Sequence, residues 1–278
     1  MVTAKKSSFM AAAKFLTLCV IIFISASSCY EDVVDIDLSE FDHKIVIEGA
    51  VGNYAGPYTV AVGKTTKLSS DENIKRISGA SVVIRDDQGF SEVLQEESAG
   101  IYQTSSLRGR TGRTYTLNVE ANGETYTASS TMQRAVLVNG IDFVKEDAEN
   151  DYYDLVLSID NLADTPEYCK IDIYKNEYFT QSYIYSDQYA DGQDVQLDDF
   201  YASFIPSDFV QIYVISIDKN VYEFYRSLEP LEEIFWDMDD PFAAGTLYNP
   251  ASNISNGALG CFSAHSVRSY ETFVAWEL

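Results

Sequence analysis

Between Thr114 and Ala128 the sequence reads TYTLNVE, then ANG, then ETYTA. Tyr115, Leu117 and Val119 alternate with polar residues, the period of a strand with one buried face. Asn122-Gly123 supplies the positive φ values that a two-residue hairpin turn needs. A helix has no use for a period of two, so this stretch commits the chain to a β-hairpin. Further short runs of the same kind lie at 44–49, 58–62, 80–85, 91–96 and 101–104. Turn residues such as Gly49, Asp86-Asp87-Gln88-Gly89 and Gly100 close them, and residues 63–79 read as a polar loop. About seven short strands at this spacing predict an immunoglobulin-like β-sandwich over residues 44–135.

Residues 136–278 read as a second β-rich domain with one helix. Runs at 153–159, 169–174 and 209–217 are strands, and the last is apolar enough to be buried on both faces. Asp218 then stands as an N-cap. Val221, Phe224, Tyr225 and Leu228 recur at helical spacing, and Pro230 breaks or kinks a helix expected near 219–236. Residues 237–260 carry the prolines, glycines and asparagines of a loop, and 267–276 close as a final strand. The expected fold class is therefore mainly β, without internal repeats.

Charge narrows the partners. The 278 residues hold 19 Lys+Arg against 43 Asp+Glu, a net charge of −24. Such a polyanion repels nucleic-acid phosphates and anionic lipid headgroups. The two histidines, His43 and His265, leave little for metal chemistry or for acid–base work near neutral pH. There is no G-x-S-x-G elbow, H-E-x-x-H, P-loop or dinucleotide fingerprint. Cys169 and His265 as a catalytic dyad are outweighed by structural roles for each. The acidic runs at 146–151, 187–199 and 237–240 read as solvated charge, with calcium the lesser alternative because none has a known loop spacing. The expectation is a protein without catalytic residues, cofactor or metal.

The first residues give an address. Lys5, Lys6 and Lys14 precede an apolar run, Phe15 to Ala26, too short for the roughly 20 residues that span a bilayer. Its length suits a signal-peptide core. Small residues Ala26-Ser27-Ser28 stand directly before Cys29. This is the pattern of a bacterial lipoprotein signal peptide over residues 1–28, after which the Cys29 thiol is acylated with fatty acids such as palmitate. Glu31 and Asp32 follow at once, as an acidic export signal or as part of a solvated tether over 29–43. Several acyl chains hold a protein on a membrane stably without a basic patch.

Cys169 and Cys261 remain beyond the signal and the anchor. In an oxidising compartment they form a disulfide or stay as two buried thiols. Tyrosine is dense in the second half, and residues 178–199 read as an exposed aromatic loop. Tyr178, Tyr183, Tyr185 and Tyr189 there are the candidate ligand-binding residues, because rings with a polar tip suit carbohydrates or peptides. The competing reading puts these rings in strand faces and core.

Several stretches carry a resemblance. Cys29-Tyr30-Glu31-Asp32 with Ile36-Asp37 and Lys44-Ile45-Val46-Ile47-Glu48-Gly49 resembles the opening of a Bacteroidota outer-membrane lipoprotein family, catalogued as a domain of unknown function, number 4249. Residues 79–84, 100–102 and 112–117 are similar to its first domain, and residues 214–228 and 253–264 to its second. Members of that family are typically encoded near TonB-dependent receptors. The resemblance implies a surface-exposed outer-membrane lipoprotein that serves such a receptor as accessory or ligand-capturing partner. A structural subunit without ligand and an unrecognised secreted hydrolase are the alternatives.

Overall fold

A computed structural model describes residues 43–66, 74–145, 151–160, 167–187, 194–229 and 249–275. The signal segment 1–28, most of the tether, Cys29, Glu31, Asp32, Tyr189 and the second half of the expected helix lie outside these residues, as do most of the acidic runs.

The expected hairpin is present. Strands β8 (Thr114–Ala121) and β9 (Glu124–Thr131) pair from Ala121↔Glu124 outward, and the turn holds Asn122 at φ 53° and Gly123 at φ 81°. Beside β8 run β4 (Ser81–Asp86) and then β5 (Ser91–Val93), giving a sheet in the order β5-β4-β8-β9. It faces β1 (Ile45–Gly52), β2 (Thr59–Thr65), β7 (Ile101–Gln103) and β6 (Gln95–Ser98) across a common core. Ile47, Val60, Val62 and Tyr102 meet Val82, Ile84, Tyr115, Leu117 and Val119 there, all almost fully buried. Each such side chain contributes about 1.5–3 kcal/mol on burial. A short β3 (Ile74–Arg76) pairs with β2 inside the stretch read as loop. Glu92 on β5 is also buried. Its carboxylate accepts the backbone N–H groups of Ser105 (2.5 Å), Ser106 (3.0 Å) and Leu107 (2.7 Å), and the Ser105 hydroxyl at 2.7 Å.

The second half repeats the two-layer plan. Strands β10 (Leu137–Lys145), β11 (Tyr153–Asp160), β14 (Val195–Leu197) and β15 (Ser203–Phe204) form one sheet. It packs on β12 (Tyr168–Lys175), β13 (Tyr178–Ser186), β16 (Phe209–Ile217) and β17 (Leu259–Phe273) through Leu155, Leu157, Ile171, Ile173, Phe204, Ile212 and Val214. The fold is thus mainly β, built of sandwiched sheets.

Two elements differ from expectation, the strand at 178–186 and the start of β17, and the helix is described in part. Residues 178–186 are a strand, paired with β12 along its length, rather than an exposed loop. The helix α1 (Lys219–Arg226) has its C-cap at Ser227, and the expected helical stretch beyond Pro230 lies outside the described residues. Strand β17 begins at Leu259, not 267, and runs for 15 residues. It pairs antiparallel with β16 and, over its first part, parallel with β1. The order β13-β12-β16-β17-β1-β2-β7-β6 is therefore one continuous sheet shared by both halves. Phe262 and Ala264 of β17 belong to the first core, and Tyr270 packs against the second.

Asp218 caps α1 and ties it down. One carboxylate oxygen accepts the N–H groups of Asn220 (3.0 Å) and Val221 (3.1 Å). The other accepts the Ser130 hydroxyl (2.5 Å) and the Thr131 N–H (2.9 Å) on β9.

Candidate functional site

Side-chain parity divides the shared sheet. On β16, Val210, Ile212 and Val214 enter the second core, so Phe209, Gln211, Tyr213, Ile215 and Ile217 point to the other, outer face. The register places Tyr174 of β12, Phe179 of β13 and Phe273 of β17 on that face as well. Tyr174 stands edge-on to Phe179 and Tyr213, each at 5.5 Å between ring centroids, and Phe209 lies 5.0 Å from Phe273. Phe179 and Phe273 are 59% and 65% exposed. Between the rings Gln211 donates to Glu271 at 3.1 Å, and beside them Lys170 is ion-paired with Asp172, which accepts the Ser182 hydroxyl at 2.8 Å. Four strands at a spacing of roughly 4.8 Å make this an aromatic and polar platform about 14 Å wide.

Further along the same face α1 covers the sheet. Val221 meets Ile217 and Cys261, and Tyr222 packs against Tyr168 with ring centroids 4.9 Å apart and planes tilted by 44°. Between helix and sheet lies a cavity of about 560 Å³. Gly49, Ala50, Thr59, Ala61 and Ser263 form its floor, and Ile215, Phe224, Tyr225 and Leu228 wall it. Glu48, Cys261 and His265 complete the lining. Burial, then the charge of Lys170, lowers the His265 pKa to about 4, so the ring is neutral near pH 7. Its Nδ1 is 3.1 Å from the Ser263 hydroxyl. Burial, then the Asp218 carboxylate, raises the Cys261 thiol to about 12, so it is not a nucleophile at neutral pH. Neither the platform nor the cavity is announced by a motif, because both are assembled from alternate residues of distant strands. The visible signal was parity: Tyr174, Tyr213 and Phe209 sit at positions where their strands alternate.

The tyrosines chosen from sequence separate. Tyr178 is 79% exposed at the β12–β13 turn. Tyr183 packs on Phe200 at 5.3 Å and borders the second core. Tyr185 is a correction: it is 7% exposed, a core residue on the inner face of β13. Its hydroxyl has no hydrogen-bond partner among the described residues. Removing that hydroxyl costs nothing in lost bonds, so Tyr185→Phe should leave stability unchanged or raise it by up to about 1 kcal/mol in urea unfolding.

The disulfide is also corrected. Cys169 and Cys261 are both buried free thiols. Strand β16 lies between theirs, so two strand spacings of roughly 4.8 Å exceed the ~7 Å Cα separation a disulfide allows. Cys169 also faces the second core while Cys261 faces α1. The same geometry puts Cys169 and His265 on opposite faces of the sheet. Among the described residues no group of three His, Cys, Asp or Glu side chains could hold a metal ion, and no helix is long and apolar enough to cross a membrane.

No curated protein matches the sequence. Among solved structures, a two-domain fibronectin type-III segment of chicken tenascin is 12% identical, with 64% of this chain and 92% of that one covered and a TM-score of 0.21. The first three fibronectin domains of chicken CNTN1 are also 12% identical, over 83% of this chain and 66% of that one, with a TM-score of 0.25. Scores this low carry no argument from either structure to this chain. The model of the domain of unknown function DUF4249 matches residues 31–271, nearly the whole of both sandwiches, and the chain belongs to that family.

Proposed function

We propose that this protein is a lipid-anchored component of the bacterial outer membrane, displayed at the cell surface, which captures a ligand for a TonB-dependent receptor. The observation that carries ligand capture is the cluster of Phe179, Tyr174, Tyr213, Phe209 and Phe273 on the part of the outer sheet face that α1 leaves uncovered. Aromatic faces flanked by hydrogen-bonding groups stack on the apolar faces of sugar rings, and the ~14 Å width matches two or three of them. The Ala26-Ser27-Ser28-Cys29 sequence with Glu31 and Asp32 supports the anchor and the surface display. The resemblance carried by residues 29–49 and the later stretches supports the receptor. A Cys261 thiol that stays protonated at neutral pH supports a binding role over a nucleophilic one.

The test pairs two measurements. Affinity capture of the natively expressed lipoprotein should recover a receptor barrel, and Cys29→Ser should release the protein from the membrane fraction. Phe179→Ala with Phe273→Ala should weaken oligosaccharide binding at least tenfold while the melting temperature stays unchanged, since both rings are exposed. Recovery of a receptor with no oligosaccharide or peptide binding by the wild type would favour a purely structural subunit.

A further inference from the structure

We propose that the cavity between α1 and the outer face of β1, β2, β16 and β17 is a second binding site, for an uncharged or cationic apolar small molecule.

Size and construction come first. About 560 Å³ lies within the range of small-molecule sites, roughly 300–1,000 Å³. The cavity arises because the sheet changes side-chain size beneath the helix. On the β16 flank Ile217 fills the space up to Val221. On the β1 and β2 flank the outward positions are Ala50, Thr59 and Ala61, too short to reach Phe224, Tyr225 and Leu228. Apart from Leu228, just past the C-cap of α1, the walls are held on regular elements. Three strands, β1, β2 and β17, make the floor, and Asp218 fixes the helix start to Ser130 and Thr131. A site mounted this way keeps its shape without a ligand.

Charge complementarity selects the occupant. The titratable groups in the lining are Glu48, Tyr225, Cys261 and His265. Burial, then Cys261, Asp172 and Glu48, raises the Tyr225 phenol to about 12, and the thiol and imidazole are likewise neutral near pH 7. Lys170 lies 5.6 Å from the Tyr225 ring centroid, but it is paired with Asp172 and is not part of the lining. Glu48, exposed at the rim, is therefore the acid that an entering ligand meets, on a protein of net charge −24. An anion would be repelled and would find no cation inside. An uncharged apolar body fits the walls, and an amine would gain from Glu48. Thr59, Ser263 and His265 offer hydrogen bonds to a polar end.

The experiment uses the full chain without detergent, carrying Cys29→Ser so that no thiol is open to acylation. Two probes share one skeleton: N-phenyl-1-naphthylamine is uncharged, and 8-anilino-1-naphthalenesulfonate adds an anionic sulfonate. The uncharged probe should bind saturably with a blue-shifted emission, at least tenfold more tightly than the sulfonate. Ala61→Trp, which fills the floor, should weaken it at least tenfold. Glu48→Lys, at an exposed position that leaves packing intact, should narrow the preference at least fivefold. Phe179→Ala with Phe273→Ala should leave probe binding unchanged, which keeps this site apart from the aromatic platform. No saturable binding of the uncharged probe, an unchanged preference in Glu48→Lys, or loss of binding in the platform variant would each overturn the proposal.

Discussion

Gly260→Ala should lower stability by about 3–5 kcal/mol and leave little folded protein at physiological temperature. Gly260 has φ +99°, a conformation that side chains other than glycine adopt only under strain of about 1–3 kcal/mol. A Cβ there would also stand 2.1 Å from the carbonyl oxygen of Ile47, a backbone atom that cannot rotate away. Ile47 and Gly260 are register partners in the parallel pairing of β1 with β17, so relief would require opening that ladder. Gly257 supplies the control. It too has a positive φ, +70°, yet a Cβ added there would meet nothing within 4 Å. Gly257→Ala should therefore cost only about 1 kcal/mol. Urea unfolding of both variants measures the contrast. Equal losses would mean that the ladder yields and the carbonyl contact is unimportant.

Glu92→Ala should cost about 3 kcal/mol, and its effect should depend on pH. Three backbone N–H groups and one hydroxyl converge on this buried carboxylate, and truncation leaves them without an acceptor. Burial alone would raise its pKa, but the bonds from Ser105, Ser106 and Leu107 outweigh that and hold it below the ordinary glutamate value. A depressed folded pKa means that the unfolded chain takes up the proton first as pH falls. The stabilisation is fully present above the ordinary glutamate range and is lost as pH falls through the folded value. Glu92→Gln should cost about 2 kcal/mol near pH 7, because one amide nitrogen faces donors. Its deficit against the wild type should shrink as pH falls below the ordinary glutamate range in parallel urea titrations.

What the sequence disclosed was local chemistry. The Asn122-Gly123 turn and the Asp218 cap are settled by residues within a few positions, and both stand in the structure. Strand β10 escaped notice because Asn139-Gly140 looks like a turn. In the structure the register of β10 on β11 shifts between Val138 and Gly140, and the strand continues through it. Strand β13 escaped because its inner face carries Gln181, Tyr183 and Tyr185, polar tips that mask a buried side. The same ambiguity misassigned Tyr185, whose ring supplies core volume while its hydroxyl suggests surface. The platform and the cavity were hidden for a different reason. Phe179 meets Tyr174 through a local hairpin, but Phe209 meets Phe273, and Ala61 lines one cavity with Tyr225, only through pairings that no short window contains.

The placement of β17 also orders events in time. Asn53 bonds Val267 across 214 positions of sequence, and β1 has β17 as its neighbour on one side. Synthesis runs from the N-terminus, so the hairpin around Asn122 can form early while β1 waits with an open edge. Phe262 and Ala264 complete the first core only when almost the whole chain exists. Contacts this remote slow the final collapse and make it cooperative, since loop closure must precede its reward. A chain cut before Leu259 would expose Ile47 and Val60 beside an unpaired strand, the combination that recruits other chains into aggregates.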